Sequence, residues 1–124
     1  MESEIETVRV KDLKDGQKIN VLAIVERTIQ FKQNEPKKEH FGEVISSGQL
    51  VQKAKIDGKV VAIPVNEGTA LYNQLRKYLQ DNEMELPVKI MDETFTVMYY
   101  KGASRMTSVL YKELIEDMSS LFDF

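Results

Sequence analysis

Gln49-Leu50-Val51-Gln52-Lys53-Ala54-Lys55-Ile56-Asp57-Gly58-Lys59-Val60-Val61-Ala62-Ile63-Pro64-Val65 carries the clearest structural signal in the chain. Two β-prone runs flank Asp57-Gly58, a dipeptide suited to the two-residue type I′ turn that joins hairpin strands. Such a turn fixes the register, setting Ile56 opposite Lys59, Ala54 opposite Val61, Gln52 opposite Ile63 and Leu50 opposite Val65. These positions are largely apolar and are expected to face a core. The other face carries Lys53 beside Ala62, Lys55 beside Val60 and Val51 beside Pro64, which makes an open platform rather than a buried layer. Pro64 cannot donate a ladder hydrogen bond, so its end of the strand is expected at an edge.

Upstream, Lys18 to Lys32 reads as one long strand. Ile19, Val21, Ala23 and Val25 alternate along it while Leu22 and Ile24 fill the other phase, and beyond Glu26-Arg27 only Ile29 and Phe31 stay apolar. That pattern predicts burial on both sides early and on one side later, with a bend between. Asp15-Gly16 marks a turn before it. Gln33 to Gly48 is polar, holds Pro36, Lys37, Lys38, His40, Phe41 and Gly42, and predicts a long loop of the kind that is usually functional or disordered.

Downstream the period changes. Leu71, Tyr72, Leu75, Tyr78 and Leu79 lie on one face of a helix from Thr69 to about Asn82, with Thr69 or Asn66 as its cap. Val88–Met91 and Thr94–Tyr100 predict one strand interrupted at Asp92-Glu93. A turn at Lys101-Gly102-Ala103-Ser104 leads to a strand over Arg105–Tyr111. Lys112–Leu121, with Leu114, Ile115, Met118 and Leu121, predicts a short final helix. Five strands with a helix between the third and fourth is the order of the OB-fold, a small, partly open barrel. The fold class is therefore mostly β with one or two helices, as a barrel domain over residues 1–112 and a short acidic helix or tail over 113–124. A sheet covered by one helix is the alternative.

The 124 residues suit one domain, 42% hydrophobic and 30% charged, without Cys. Absence of Cys removes disulfides and thiolate sites and suits a reducing cytoplasm. The acidic start, Met1-Glu2-Ser3-Glu4-Ile5-Glu6, lacks the apolar run of a signal peptide, and Val21 to Val25 is too short to span a bilayer. Net charge is −3, but it is segregated. Residues 7–112 hold all 17 Lys and Arg against 13 acids, leaving that span four charges positive between acidic ends. This permits a basic binding surface beside an acidic tail.

The strand order, the stretch Phe95-Thr-Val-Met-Tyr-Tyr-Lys-Gly-Ala-Ser-Arg-Met-Thr-Ser-Val-Leu-Tyr111 and the ending Leu121-Phe122-Asp123-Phe124 together resemble small OB-fold single-stranded DNA-binding proteins of bacteriophages. The long stretch looks like a final barrel hairpin with a basic tip. The resemblance implies binding of single-stranded DNA without strong sequence preference, in replication or recombination and in a host cytoplasm. It also implies that an acidic, Phe-ended tail recruits other proteins of those processes. A departure is that no linker separates barrel from tail.

Binding a single strand requires cations along the backbone and rings on which bases stack. The candidate cations are Lys53 and Lys55 on the outer hairpin face, Lys32, Lys37 and Lys38 in or beside the long loop, and Lys101 and Arg105 at the last turn. In an OB barrel these two loops flank the platform, so the groups are expected to converge on one groove. Phe41, in its polar loop, and Tyr100 are the candidate rings, while Phe31, Tyr72 and Tyr78 are expected in the core. Glu116, Asp117, Leu121, Phe122, Asp123 and Phe124 are the candidate partner-docking residues, or else simply a helix packed on the barrel. An RNA binder, which differs by its preference for ribose, is a third reading that these residue types do not separate, and a homodimer would strengthen weak binding through effective concentration. A protein-binding adaptor on the same barrel is the alternative function. His40 is the sole histidine, and no phosphate loop, nucleophile elbow or HExxH pattern is present. No catalytic residue, metal or cofactor is therefore expected, although a Mg²⁺ site built from distant carboxylates stays open.

Overall fold

A computed structural model describes residues 5–32, 44–101 and 107–115. Its elements in chain order are β1 (Glu6–Thr7), a 3-10 turn at Val10–Asp12, β2 (Lys18–Lys32), β3 (Val44–Ile56), β4 (Lys59–Asn66), α1 (Ala70–Asp81), β5 (Glu93–Lys101), β6 (Thr107–Tyr111) and a 3-10 turn at Lys112–Leu114. The strands form one curled, half-barrel sheet in the order β1-β4-β3-β2-β5-β6, with α1 against its concave side.

The β3–β4 hairpin has the register its turn dictates, Ile56 opposite Lys59 through Leu50 opposite Val65. Both turn residues take positive φ, Asp57 at 51° and Gly58 at 81°, the conformation a type I′ turn requires. Leu50, Gln52, Ala54, Val61, Ile63 and Val65 are buried, and Lys53 and Lys55 are exposed on the other face. β3 begins at Val44, earlier than the polar composition predicted, because Val44 to Gly48 pair with Thr28 to Lys32 of β2 and so satisfy their backbone groups in a ladder.

In β2 the two apolar phases have a different origin from two-sided burial. The register slips between Val21 and Ala23, so Leu22 is an extra residue and the strand changes phase. Ile19 and Val21 face the core before the slip and Ile24 faces it after, while Val25, in the same written phase as Val21, is 39% exposed.

Thr69 caps α1, its Oγ1 accepting from the Tyr72 backbone N–H at 3.3 Å. Leu71, Tyr72, Leu75 and Leu79 enter the core, with Tyr78 half-buried at its margin. Phe95 stacks on Tyr111 with centroids 4.8 Å apart, and Tyr78 meets Phe95 edge-on at 5.6 Å. Val88–Met91 is not a half of β5: Val88 makes a single bridge to Ile24, and Met91 N–H donates to the Leu22 carbonyl.

Two features were not expected. The first is β1, which pairs in parallel with Val61 and Ala62 of β4, so β4 is covered there and Pro64 lies just beyond the covered stretch. From β1 the chain crosses to β5, burying Leu13 on the way and placing Gly16 and Gln17 on Val97 through bonds of 2.7 and 2.8 Å. The second is Gln74 of α1, fully buried. Its amide donates to the Tyr111 carbonyl at 2.9 Å, and its oxygen accepts from Tyr111 N–H at 2.7 Å. A helix side chain thus occupies the β6 edge as a neighbouring strand would.

The packed body runs past Lys112. Leu114 is buried, and Glu113 accepts from the Thr96 N–H and hydroxyl, both at 2.6 Å. Of the helix predicted over Lys112–Leu121, the described residues show a 3-10 turn at Lys112–Leu114, and residues 116–121 lie outside the described residues.

Candidate nucleic-acid interface

The outer face of β2, β3 and β4 forms the candidate surface. Its rows follow from the ladder: Asn20, Lys55 and Val60; then Ala23, Lys53 and Ala62; then Val25, Val51 and Pro64; then Arg27, Gln49 and Asn66. Small and β-branched neighbours leave Lys53 and Lys55 rising from the middle strand, and Arg27 lies on the other side of the apolar row of Val25, Val51 and Pro64. Val51, Val60, Ala62 and Pro64 are half-buried, and Val25, Lys53 and Lys55 are exposed.

Hydrogen bonding orders the end of this surface nearest Asn66. Arg27 Nε donates to Gln49 Oε1 at 2.7 Å, and Gln49 Nε2 donates to Asn66 Oδ1 at 2.8 Å. Gln49 is only 6% exposed, so its bond to Nε anchors one edge of the Arg27 guanidinium. At the other end Lys18 Nζ donates to Thr96 Oγ1 at 2.9 Å, and Asn20 Nδ2 donates to Asp92 Oδ1 at 2.7 Å. Burial works to raise the Glu113 carboxyl, but bonds from the Thr96 hydroxyl and N–H, helped by the nearby Lys18 charge, hold it below its ordinary value. The surface thus passes from basic at Arg27, Lys53 and Lys55 to mixed charge at Lys18, Asp92 and Glu113.

Four cations elsewhere in the described residues are committed to acidic partners, whereas Lys11, Lys14, Lys89, Lys101 and Lys112 make no ion pair among those residues. Arg9 pairs with Asp12, Lys59 with Glu6, Arg76 with Glu26 and Lys77 with Asp81. Lys53 and Lys55 make no ion pair among the described residues.

No family model, curated protein or solved structure matches this chain.

The sequence-selected residues are strung along the sheet rather than gathered at one point. Lys32 pairs with Val44, nine residues along β2 from the Ala23–Lys53 row, a contour of about 30 Å. Tyr100 lies six residues along β5 from Thr94, the partner of Asn20, about 20 Å in the opposite direction. The two loops are therefore rooted at opposite ends of the platform. Tyr100 has the phase of the outer face but is half-buried opposite Ser108, and Lys101 is exposed opposite Thr107. The more exposed ring is Tyr99, whose hydroxyl donates to the Leu13 carbonyl. Only the backbones of Phe31 and Lys32 are described, and Lys37, Lys38, His40, Phe41, Arg105, Glu116, Asp117, Leu121, Phe122, Asp123 and Phe124 lie outside the described residues.

Sequence reading missed Arg27 and Val25 because the slip at Leu22 moves them to the outer face. It missed Lys18 because a residue opening a strand gives no sign of which face it joins. Gln49, the first residue of the predicted hairpin strand, is uncharged and so carries no mark in the sequence as the partner that steadies Arg27.

Proposed function

We propose that this chain binds single-stranded DNA with little sequence preference, on an OB-like barrel formed by β2 to β6. The fold reading is supported by the order of these strands, with α1 between the third and fourth. It is also supported by the pairing of β2 with both β3 and β5, and of β5 with β6. The observation that carries the functional reading is the pair of unpartnered lysines, Lys53 and Lys55, beside the exposed Val25 and the Arg27 guanidinium on one open sheet face. Phosphates would follow the basic side chains while bases lie against the Val25, Val51 and Pro64 row, a sequence-tolerant mode because every base has an apolar face. The phage setting, the role in replication or recombination and recruitment through the acidic tail belong to the same proposal.

Titration of a fluorescent oligothymidine across a salt series tests it. Three engaged cations give a slope of log affinity on log salt near −2, from about −0.7 per single-strand contact. Lys53→Ala/Lys55→Ala is expected to weaken binding at least tenfold at low salt and bring the slope to about −0.7. Equal affinity in the double variant removes this platform. An adaptor that binds only proteins would ignore the oligonucleotide at every salt concentration.

A further inference from the structure

We infer that two copies of this chain pair antiparallel along the upper half of β2, about a two-fold axis at Ile29. The inference rests on the edges of the sheet. β1 is two residues long, and the outer edge of β6 is occupied at Tyr111 by Gln74. β2 is different. Its side away from β3 is paired by β5 at Lys18–Val21 and bridged by Val88 at Ile24, and then no described element follows it. Seven residues, Glu26 to Lys32, therefore present a strand edge that is unpaired among the described residues.

The bonds between Ile24 and Val88 run in both directions, N–H to carbonyl at 2.9 and 2.8 Å, so the backbone groups of Ile24 point to this edge. By the alternation of a strand, the N–H and carbonyl groups of Glu26, Thr28, Gln30 and Lys32 point the same way. Glu26, Arg27 and Thr28 are exposed. An open hollow lined by Arg76, Gln80, Met84 and Leu86 lies beside Glu26, leaving room for an incoming chain.

Exposed edges of this length attract other strands unless they are shortened, bent or given repelling charges. Here the edge has neither Pro nor a bulge, and its charges select a partner. With the axis at Ile29, Glu26 stands opposite Lys32 of the second copy, Thr28 opposite Gln30 and Arg27 opposite Phe31, each pair occurring twice. The register sets Glu26, which pairs with Arg76 in its own copy, at the position opposite the oppositely charged Lys32 in both outer pairs, and about eight interchain backbone bonds form. An axis at Thr28 would require Ile24, which Val88 already holds, and would set Glu26 against neutral Gln30. The two-fold stands perpendicular to the sheet, so both outer faces look the same way. Arg27, Lys53 and Lys55 of the two copies then lie on one continuous surface.

The chain has no native Cys, so single cysteines report the register directly. At the axis Ile29 faces itself in a non-hydrogen-bonded pair with Cα atoms about 4.5 Å apart, within disulfide reach. Ile29→Cys is expected to give a covalent dimer on mild oxidation. Arg27→Cys and Phe31→Cys, each about 13 Å from its own copy, should cross-link when mixed but not alone. In sedimentation equilibrium the wild type is expected at twice 14.3 kDa. Thr28→Pro, which deletes an outward N–H and is tolerated on an edge strand, should run as a monomer with unchanged circular dichroism. Lys32→Glu, which sets like charges at the register position opposite Glu26, is expected to raise the dissociation constant about tenfold. A wild type that stays monomeric at about 100 μM, or Ile29→Cys that cross-links no faster than the two single controls, overturns the inference. Neither readout involves DNA.

Discussion

At the residue scale, one buried tyrosine and one buried glutamine show how polar groups are built into this core. Tyr111 is fully buried, and its hydroxyl donates to Gln52 Oε1 at 2.6 Å. Burial pushes the phenol far above its ordinary value, with the Gln52 bond opposing, so Tyr111 stays neutral at all physiological pH. Tyr111→Phe keeps the stack on Phe95 but strips the partner from a Gln52 carboxamide that is itself fully buried. A loss of about 1–3 kcal/mol is expected in urea unfolding. Gln52→Leu alone would strand the phenol and should cost a similar amount, whereas Gln52→Leu/Tyr111→Phe should recover most of it.

At the scale of elements, α1 acts as a surrogate strand. Gln74 meets both backbone groups of Tyr111, and those groups are otherwise sealed from water between helix and sheet. Gln74→Ala leaves a buried N–H and carbonyl unsatisfied and opens a small void, so about 2–4 kcal/mol of destabilisation is expected by chemical denaturation. Gln74→Glu should be worse above neutral pH, because a carboxylate cannot donate to the Tyr111 carbonyl and its charge would be buried. Hydrogen exchange at the Tyr111 amide is the direct measurement. Faster exchange there, with β3 and β4 amides unchanged, is the expected outcome.

For the whole molecule, the C-terminal turn and the N-terminal segment tie the half-barrel together on opposite sides of β5. Leu114 enters the core, and Glu113 clamps Thr96, which in turn accepts from Lys18 of β2. Because the Glu113 carboxyl is held below its ordinary value of 4.5, its contribution to stability is present above that pH. It is lost as pH falls through the lowered folded value. Glu113→Gln is therefore expected to lower the melting temperature near neutral pH and to flatten the acid side of the pH–stability curve relative to wild type. Equal acid slopes for the two proteins would show that the clamp contributes nothing.

The sequence by itself determined the turn and register of the β3–β4 hairpin, the approximate span of α1, and the exposure of Lys53 and Lys55. Each depends on neighbours a few residues away: Asp57-Gly58 sets the turn and with it the alternation, and Thr69 sets the helix start. Tertiary structure alone decided the pairing of β1 with β4, the bridge from Val88 to Ile24 and the capping of β6 by Gln74, since those partners lie far apart in the chain. It also decided the platform beyond the two lysines. The slip at Leu22 leaves no mark in an unbroken apolar run, yet it turns Val25 and Arg27 outward, because every side chain past one extra residue changes face.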